Sequence, residues 1–453
     1  MTDVADITST DQATNPIRFP PDFTWGVATS SYQVEGAPDA DGKGESIWDR
    51  FCTEPGRIAD GTTGAGGVDH YHRWPEDVAL MSELGVGAYR FSISWPRVIP
   101  TGTGTVNKAG LDFYDRLVDG LLSRNITPLP TLYHWDLPQA LQDQGGWTSR
   151  DTAEAFADYA EVVAHRLGDR VGTFLTLNEP FVSAYLGHVW GIHAPGHRST
   201  AEGFAASHHL LLAHGLAVER LRQIVPDARL GIVLNFTPAV PGTDSEADLA
   251  EAERINDREN RWYIEPIAGR GYPEVSDFHR DWDRSEVQDG DLDVISTPID
   301  LLGVNYYTRH VAFTEPPTDD RWRPPTTEMG WEIHPPTFGD LLIHLHQTYD
   351  FPGLMVTENG AAMPDDRRRD GQVDDQDRID FLYDHIAQVH RAMVEGAPIE
   401  GYLVWSLLDN FEWAEGFAKR FGIVEVDFES YERRLKSSAY WYGDLVRSGV
   451  LTR

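Results

Sequence analysis

A single α/β chain closed as a (β/α)8 TIM barrel and enlarged by long βα loops is the fold the sequence predicts. Three observations carry it. Eight short apolar or β-branched runs recur roughly 40 to 70 residues apart along the 453 residues, the room that a helix and a variable loop require. Helical apolar patterns fill the gaps, with no shift in composition that would divide the chain. Nearly every run delivers a polar or aromatic side chain at or just past its end, as in a barrel whose strand ends share one face. Length alone would equally suit two or three domains. An open doubly wound sheet is the alternative, but it asks for a glycine-rich phosphate turn after the first strand. Gly36 to Gly44 lacks that spacing, and no helix is predicted after it.

Residues 1–16 are polar and acidic with no apolar stretch and read as a disordered tail, leaving 17–453 for the barrel. No later run approaches the ~20 apolar residues of a membrane span, so a soluble, cytoplasmic protein without an export signal is expected. The first run, Thr24 to Ala28, leads to a loop carrying Gln33. Residues 39–69, rich in Gly and Asp, read as a long surface connection. Pro75 to Leu84 reads as a helix, with Pro in its first turn, apolar Val78, Leu80, Met81 and Leu84, and Gly85 to end it. The second run, Gly87 to Trp95, embeds Arg90 in apolar sequence. Further runs at 127–132, 173–177, 230–234, 299–304, 354–357 and 401–405 alternate with helical patterns at 111–122, 153–167, 201–224, 247–264, 338–349 and 375–395. The run ends then supply Gln33, Arg90, His134 with Trp135, Asn178 with Glu179, Asn235, Asn305 with Tyr307, Glu358, and Trp405.

The formal charge of −34, from 72 acidic against 38 basic residues, works against a grip on nucleic-acid phosphates or anionic membranes, and neither partner is expected. Cys52 is the only cysteine, so an intrachain disulfide and a thiolate metal site are both ruled out. The 14 Trp, 17 Tyr and 19 Phe often neighbour Asn, His, Gln and Glu. That mixture stacks on flat sugar faces while binding their hydroxyls.

The organising stretch is Leu354-Met355-Val356-Thr357-Glu358-Asn359-Gly360, a buried strand that delivers a carboxylate. An ionised carboxylate beside a core costs several kcal/mol unless it has partners or a task. Thr176-Leu177-Asn178-Glu179-Pro180 delivers a second one. From the fourth and seventh strands of a closed barrel the two meet across the mouth. Paired carboxylates flanking a sugar serve glycosidic cleavage: one protonates the leaving oxygen while the other attacks the anomeric carbon or activates water. Metal ligation would ask for a tight His/Asp/Glu set, whereas the neighbours here are Asn, Tyr, Trp and Gln, and neither metal nor cofactor is expected. His208, His209 and His214 share a helix without i, i+4 spacing. Asp365 to Asp377 lacks the ligand ladder of a calcium loop and reads as a solvated connection to a helix capped by Asp374 or Asp375. Spacing does not say which glutamate plays which part.

From Phe19 to about Tyr442 the chain resembles the β-glucosidases of glycoside hydrolase family 1. The segments that carry this are Asn178-Glu179-Pro180 and Thr357-Glu358-Asn359-Gly360, together with His134-Trp135-Asp136-Leu137-Pro138 and Asn305-Tyr306-Tyr307-Thr308. Trp405 to Trp413 and Arg420-Phe421-Gly422-Ile423 complete the series in the same order. The resemblance implies a retaining β-glucosidase that releases terminal glucosyl residues from short oligosaccharides such as cellobiose, or from aryl and alkyl β-glucosides. It implies Glu358 as nucleophile and Glu179 as acid/base, with Arg90, Tyr307 and Asn305 beside them. Gln33, His134, Trp135, Asn178, Glu412, Trp413 and Phe421 are implied around the sugar, over a floor of Trp405. Trp331 falls on the aglycone side, and Phe181, Leu186, His188 and Trp190 in the entrance loop. Glu412-Trp413 resembles the branch that takes unphosphorylated sugars, and Glu rather than Gln at 179 implies O-glycosides over thioglycosides. A preference for β-galactosides or β-fucosides is one alternative, and a sugar-binding barrel without chemistry is another.

Overall fold

The computed structural model describes residues 16–273, 282, 284–315 and 324–453. Nearly all of the expected acidic tail, residues 1–15, lies outside the described residues. Eight parallel strands form a closed barrel: β1 (Thr24–Ala28), β2 (Ala88–Ser92), β3 (Thr127–Tyr133), β4 (Thr173–Asn178), β5 (Arg229–Asn235), β6 (Leu301–Asn305), β7 (Leu354–Asn359) and β8 (Ile399–Trp405). Each pairs with its neighbour in sequence, and β8 closes on β1, Gly401 beside Thr24 and Trp405 beside Ala28. Ala28, Ala88, Leu129, Leu175, Val233, Leu301, Met355 and Leu403 fill the interior, where they cluster with Trp405 and Phe421. The outward residues, among them Val27, Tyr89, Phe174, Ile232, Leu302, Val356 and Tyr402, join a second core under the helices. Burial on both faces is why these strands read as continuous apolar runs and not as alternating ones.

Among the described residues, the α-helices of six residues or more are α1 (His70–Leu84), α2 (Lys108–Leu122), α3 (Arg150–Leu167), α4 (Thr200–Ile224), α5 (Glu246–Asn256), α6 (Trp262–Ile267), α7 (Pro335–Thr348), α8 (Gln376–Val394) and α9 (Ser437–Ser448). Gly85 ends α1 in the left-handed conformation at φ 78°, as its position predicts. Ile17–Arg18 pairs antiparallel with Val450–Leu451, at the end of the barrel where the strands begin.

Three expectations are corrected and a fourth is refined. Helix α1 starts at His70, so Pro75 sits inside it and not in its first turn; Asp69 stands at the N-cap, its carboxylate pairing with the side chains of His72 at 2.6 Å and Arg73 at 3.3 Å. The helix expected over 247–264 is interrupted by a π-helical turn at Asp257–Arg261. There Asn256 and Asn260 leave the helical register to bond the backbone of Ala239 and Thr237. Residues 39–69 are not only surface: a short helix at Ile47–Phe51 buries Trp48 completely. Its capping box joins Asp49 N–H to Ser46 Oγ at 3.1 Å and Ser46 N–H to Asp49 Oδ2 at 2.8 Å. Finally, Asp375 is the N-cap residue of α8, one of the two expected, but not through its side chain. Its carboxylate pairs instead with the buried Arg378 and accepts from Ser438 N–H (2.8 Å) and Oγ (2.6 Å).

Candidate active site

The polar residues at the strand ends gather at the mouth of the barrel. Glu179 is the first residue past β4 and is held left-handed at φ 48° by its N–H donating to Val233 O at 2.9 Å. Glu358 lies within β7, which runs two residues beyond the expected end. The register of β7 shifts between Val356 and Glu358 against β6, and between Val356 and Asn359 against β8. That irregularity re-aims the strand where the carboxylate emerges. Gly360 follows because a Cβ there would stand 1.7 Å from Trp405 O.

One hydrogen-bond net joins the two acids. Arg90 donates to Glu358 Oε1 at 2.5 Å, and Tyr307 Oη donates to Oε2 at 2.6 Å. The guanidinium also donates to Asn178 Oδ1 (2.7 Å), Thr131 Oγ1 (3.0 Å) and Thr357 O (3.5 Å). Asn305 Nδ2 donates to Glu179 Oε1 at 2.7 Å and to Asn178 Oδ1 at 3.1 Å, while its Oδ1 accepts from Thr357 Oγ1 at 2.7 Å. Arg90, Asn178, Glu179, Asn305 and Glu358 are all buried.

The two carboxyls are treated differently. Burial first, then the charge of Glu358, pushes the Glu179 carboxyl up to about 8, against the pull of the Asn305 amide and Arg90. Burial also lifts Glu358, but Arg90 and the Tyr307 phenol oppose it, and Glu179 has no comparable cation. Glu179 therefore keeps a proton near neutrality while Glu358 yields its own first. Tyr307 is itself driven well above the usual phenol range by burial and by Glu358, so it stays a donor.

Around this pair the residues expected around a sugar form an amide-and-indole basket. Gln33 Nε2 donates to Asn410 Oδ1 and Phe411 O, both at 2.9 Å, and to Glu412 Oε2 at 3.4 Å. His134 is held neutral, far below its usual range, by burial and by Arg90. Its Nε2 therefore accepts from Asn178 Nδ2 at 3.1 Å. Its ring stacks between Trp405 (5.7 Å, 20°) and Trp413 (5.9 Å, 16°). Trp135 packs 4.5 Å from Trp413 and spends its indole N–H on Asn178 O at 2.9 Å, so it offers a ring face only. Asn178, with both acceptor sites taken and one amide hydrogen on His134, keeps one hydrogen for a ligand. Glu412 is half-buried and pushed up to about 8 by burial and by Glu358 and Glu415, against Gln33. Trp331 closes another side, 5.3 Å from Tyr307 and 6.2 Å from Phe421. Trp135, Glu179 and Trp413 all carry positive φ, at 77°, 48° and 48°. Such strain costs on the order of 1 kcal/mol or more each and clusters at functional sites.

The expected entrance loop divides. Trp190 is 40% exposed and abuts the Phe181 ring, but Phe181 is buried and His188 fully so, its Nδ1 donating to Ser183 O at 3.0 Å. His188 is therefore a packing residue behind the loop. His208, His209 and His214 are likewise buried, bonded to Tyr272 and Asp291, to Trp147 O, and to Thr176. Residues not foreseen are Thr131, Thr357 and Asn410, whose short polar side chains orient Arg90, Asn305 and Gln33.

The description "Glycosyl hydrolase family 1" matches residues 15–450. β-Glucosidase A of Thermotoga maritima is 47% identical over 445 residues, covering 96% of this chain and 99% of its own. A bifunctional β-D-glucosidase/β-D-fucosidase of Bifidobacterium breve is 44% identical over 454 residues, 94% of this chain and 97% of its own. The solved family 1 β-glucosidase of Thermotoga maritima superposes with a TM-score of 0.92 at 46% identity, covering 97% of this chain and all of that one. With the family matched across nearly its whole length and relatives alike end to end, the chain belongs to glycosyl hydrolase family 1.

Proposed function

We propose that the chain is a retaining β-glucosidase acting on terminal β-D-glucosyl residues of short oligosaccharides and of aryl or alkyl β-glucosides. The observation that carries this is the unequal treatment of two joined carboxyls: a guanidinium and a phenol on Glu358, a neutral amide on Glu179. In the first step Glu358 Oε attacks the anomeric carbon, the glycosidic C–O bond breaks, and Glu179 gives its proton to the leaving oxygen. Forming the ester removes the charge of Glu358, so Glu179, now ionised, accepts a proton from water as that water displaces Glu358. Asn305 holds Glu179 in either state, and Arg90 with Tyr307 reclaims Glu358 when it leaves.

Gln33, His134, Asn178, Glu412 and Trp413 are the proposed sugar ligands, with Trp405 beneath the ring. Fixed amide and carboxyl partners select epimers because a missing hydroxyl strands a buried polar group. The name of the Bifidobacterium relative favours a second activity, on β-fucosides, which a panel of aryl glycosides ranks by kcat/KM. The deciding experiment follows the first-formed sugar by NMR and adds azide to Glu358→Gly. Retention requires the β-anomer first, carboxyl groups about 5–5.5 Å apart, and an α-glucosyl azide from the rescued variant. An α-anomer formed first, or normal turnover by the unrescued variant, sinks the proposal.

A further inference from the structure

Behind the sugar basket lies a group of six buried or half-buried charges that the reaction does not use. Lys436, wholly buried before α9, donates to Asp409 Oδ1 at 2.8 Å and to Asp365 Oδ2 at 2.5 Å. Arg378, buried on α8, pairs with Asp375 and with Asp365 (3.3 Å), and it donates to Arg420 O at 2.8 Å. Arg420 Nη1 in turn reaches Asp409 Oδ2 at 3.1 Å. Three carboxylates face three cations, so the cluster is neutral as a whole.

Arg420 and Asp409 both belong to the 405–424 loop, and Asp409 ties its two limbs together. The Asp409 N–H donates to Val424 O at 3.0 Å, and its Oδ1 accepts from Gly422 N–H at 3.0 Å. A Cβ on Gly422 would stand 2.1 Å from Asp409 N, so the two limbs of the loop are in contact there. Lys436 adds its own N–H to Ile423 O at 3.0 Å. Asn410, Glu412, Trp413 and Phe421 all lie between the limbs that this neck joins, while Gln33 and Asp60 hold the far side of the loop.

We propose that Lys436 is a positioning residue for sugar recognition: through Asp409 it fixes the neck of the 405–424 loop and so the placement of Glu412, Trp413 and Phe421. The inference rests on reading Glu412 and Trp413 as sugar ligands. It differs from a merely structural role, because stability and substrate binding are expected to separate.

In Lys436→Met three acids face two bases, so both Tm and kcat/KM for an aryl β-glucoside fall, the latter about 10- to 100-fold, as misplacement of binding groups by an ångström produces. Adding Asp365→Asn restores balance, two acids against two bases, without restoring the contact on Asp409. The double variant is therefore expected to regain most of the lost Tm while KM stays raised and amide exchange across residues 405–424 stays fast. If KM recovers together with Tm, or if Lys436→Met binds and turns over glucoside normally, the proposal is overturned. Should the single variant not fold, the balanced double variant decides alone. Failure of the glycosidase reading would show separately, as a wild type without turnover, and the exchange measurement would still report whether Lys436 holds the loop.

Discussion

At the scale of single residues, the proton on Glu179 is the property most open to test. Its carboxyl, raised to about 8, is protonated in the folded protein well above the point, about 4.3, where it ionises in the unfolded chain. The contribution to stability is thus complete below pH ~4.3 and is lost as pH rises through about 8, with a slope of at most about 1.4 kcal/mol per pH unit. Glu179→Gln keeps an acceptor for Asn305 and removes that slope, so denaturation midpoints of the variant and the wild type are expected to diverge in the variant's favour toward pH 8. Activity moves the other way. If Glu179 is the general acid proposed above, its loss is expected to cost about 10²- to 10⁴-fold for poor leaving groups, and the alkaline limb of kcat/KM near pH 8 is expected to disappear. Glu179, Glu358 and Arg90 were legible in sequence because charges at the ends of, or inside, apolar runs demand explanation. Thr131 and Thr357 were not, because a threonine in a strand reads as β-branched filler, and nothing local shows that its hydroxyl orients Arg90 or Asn305.

At the scale of elements, the barrel strands were legible because burial on both faces leaves continuous apolar runs, each found within three residues of its expected limits. What escaped was decided by polar contacts across the chain. The π-helical turn at Asp257–Arg261 accompanies two asparagines that bond the backbone of Thr237 and Ala239, 23 and 17 residues earlier. The helix at Ile47–Phe51 was hidden in Gly- and Asp-rich sequence although Ser46 and Asp49 have capping-box spacing. Ser46→Ala removes the acceptor for Asp49 N–H and is expected to cost about 1 kcal/mol in denaturant titration. Because this helix carries Trp48, whose ring lies 4.7 Å from Trp413, a modest rise in KM should accompany the loss.

For the whole molecule, the closed barrel follows from the order of eight runs, whereas the neutral six-charge cluster does not. Asp365 and Asp375 sit among arginines in a stretch that reads as solvated, and only folding shows that Lys436, 71 residues beyond Asp365, joins Asp365 to Asp409. The global charge of −34 bears on solution behaviour more than on topology. Self-repulsion across the surface is screened within about 10 Å at 0.1 M salt. Calorimetry in rising sodium chloride is therefore expected to show Tm increasing between about 0.01 and 0.5 M; a flat or falling curve would mean that surface ion pairs dominate instead.

The pairing of Ile17–Arg18 with Val450–Leu451 joins the first and last described strands on the side of the barrel away from the strand ends that bear Glu179 and Glu358. An anchor attached beyond Leu451 would therefore fix the protein to a bead or electrode with its opening turned to the liquid, and a linker spliced between the two ends would let new termini be cut elsewhere on the rim.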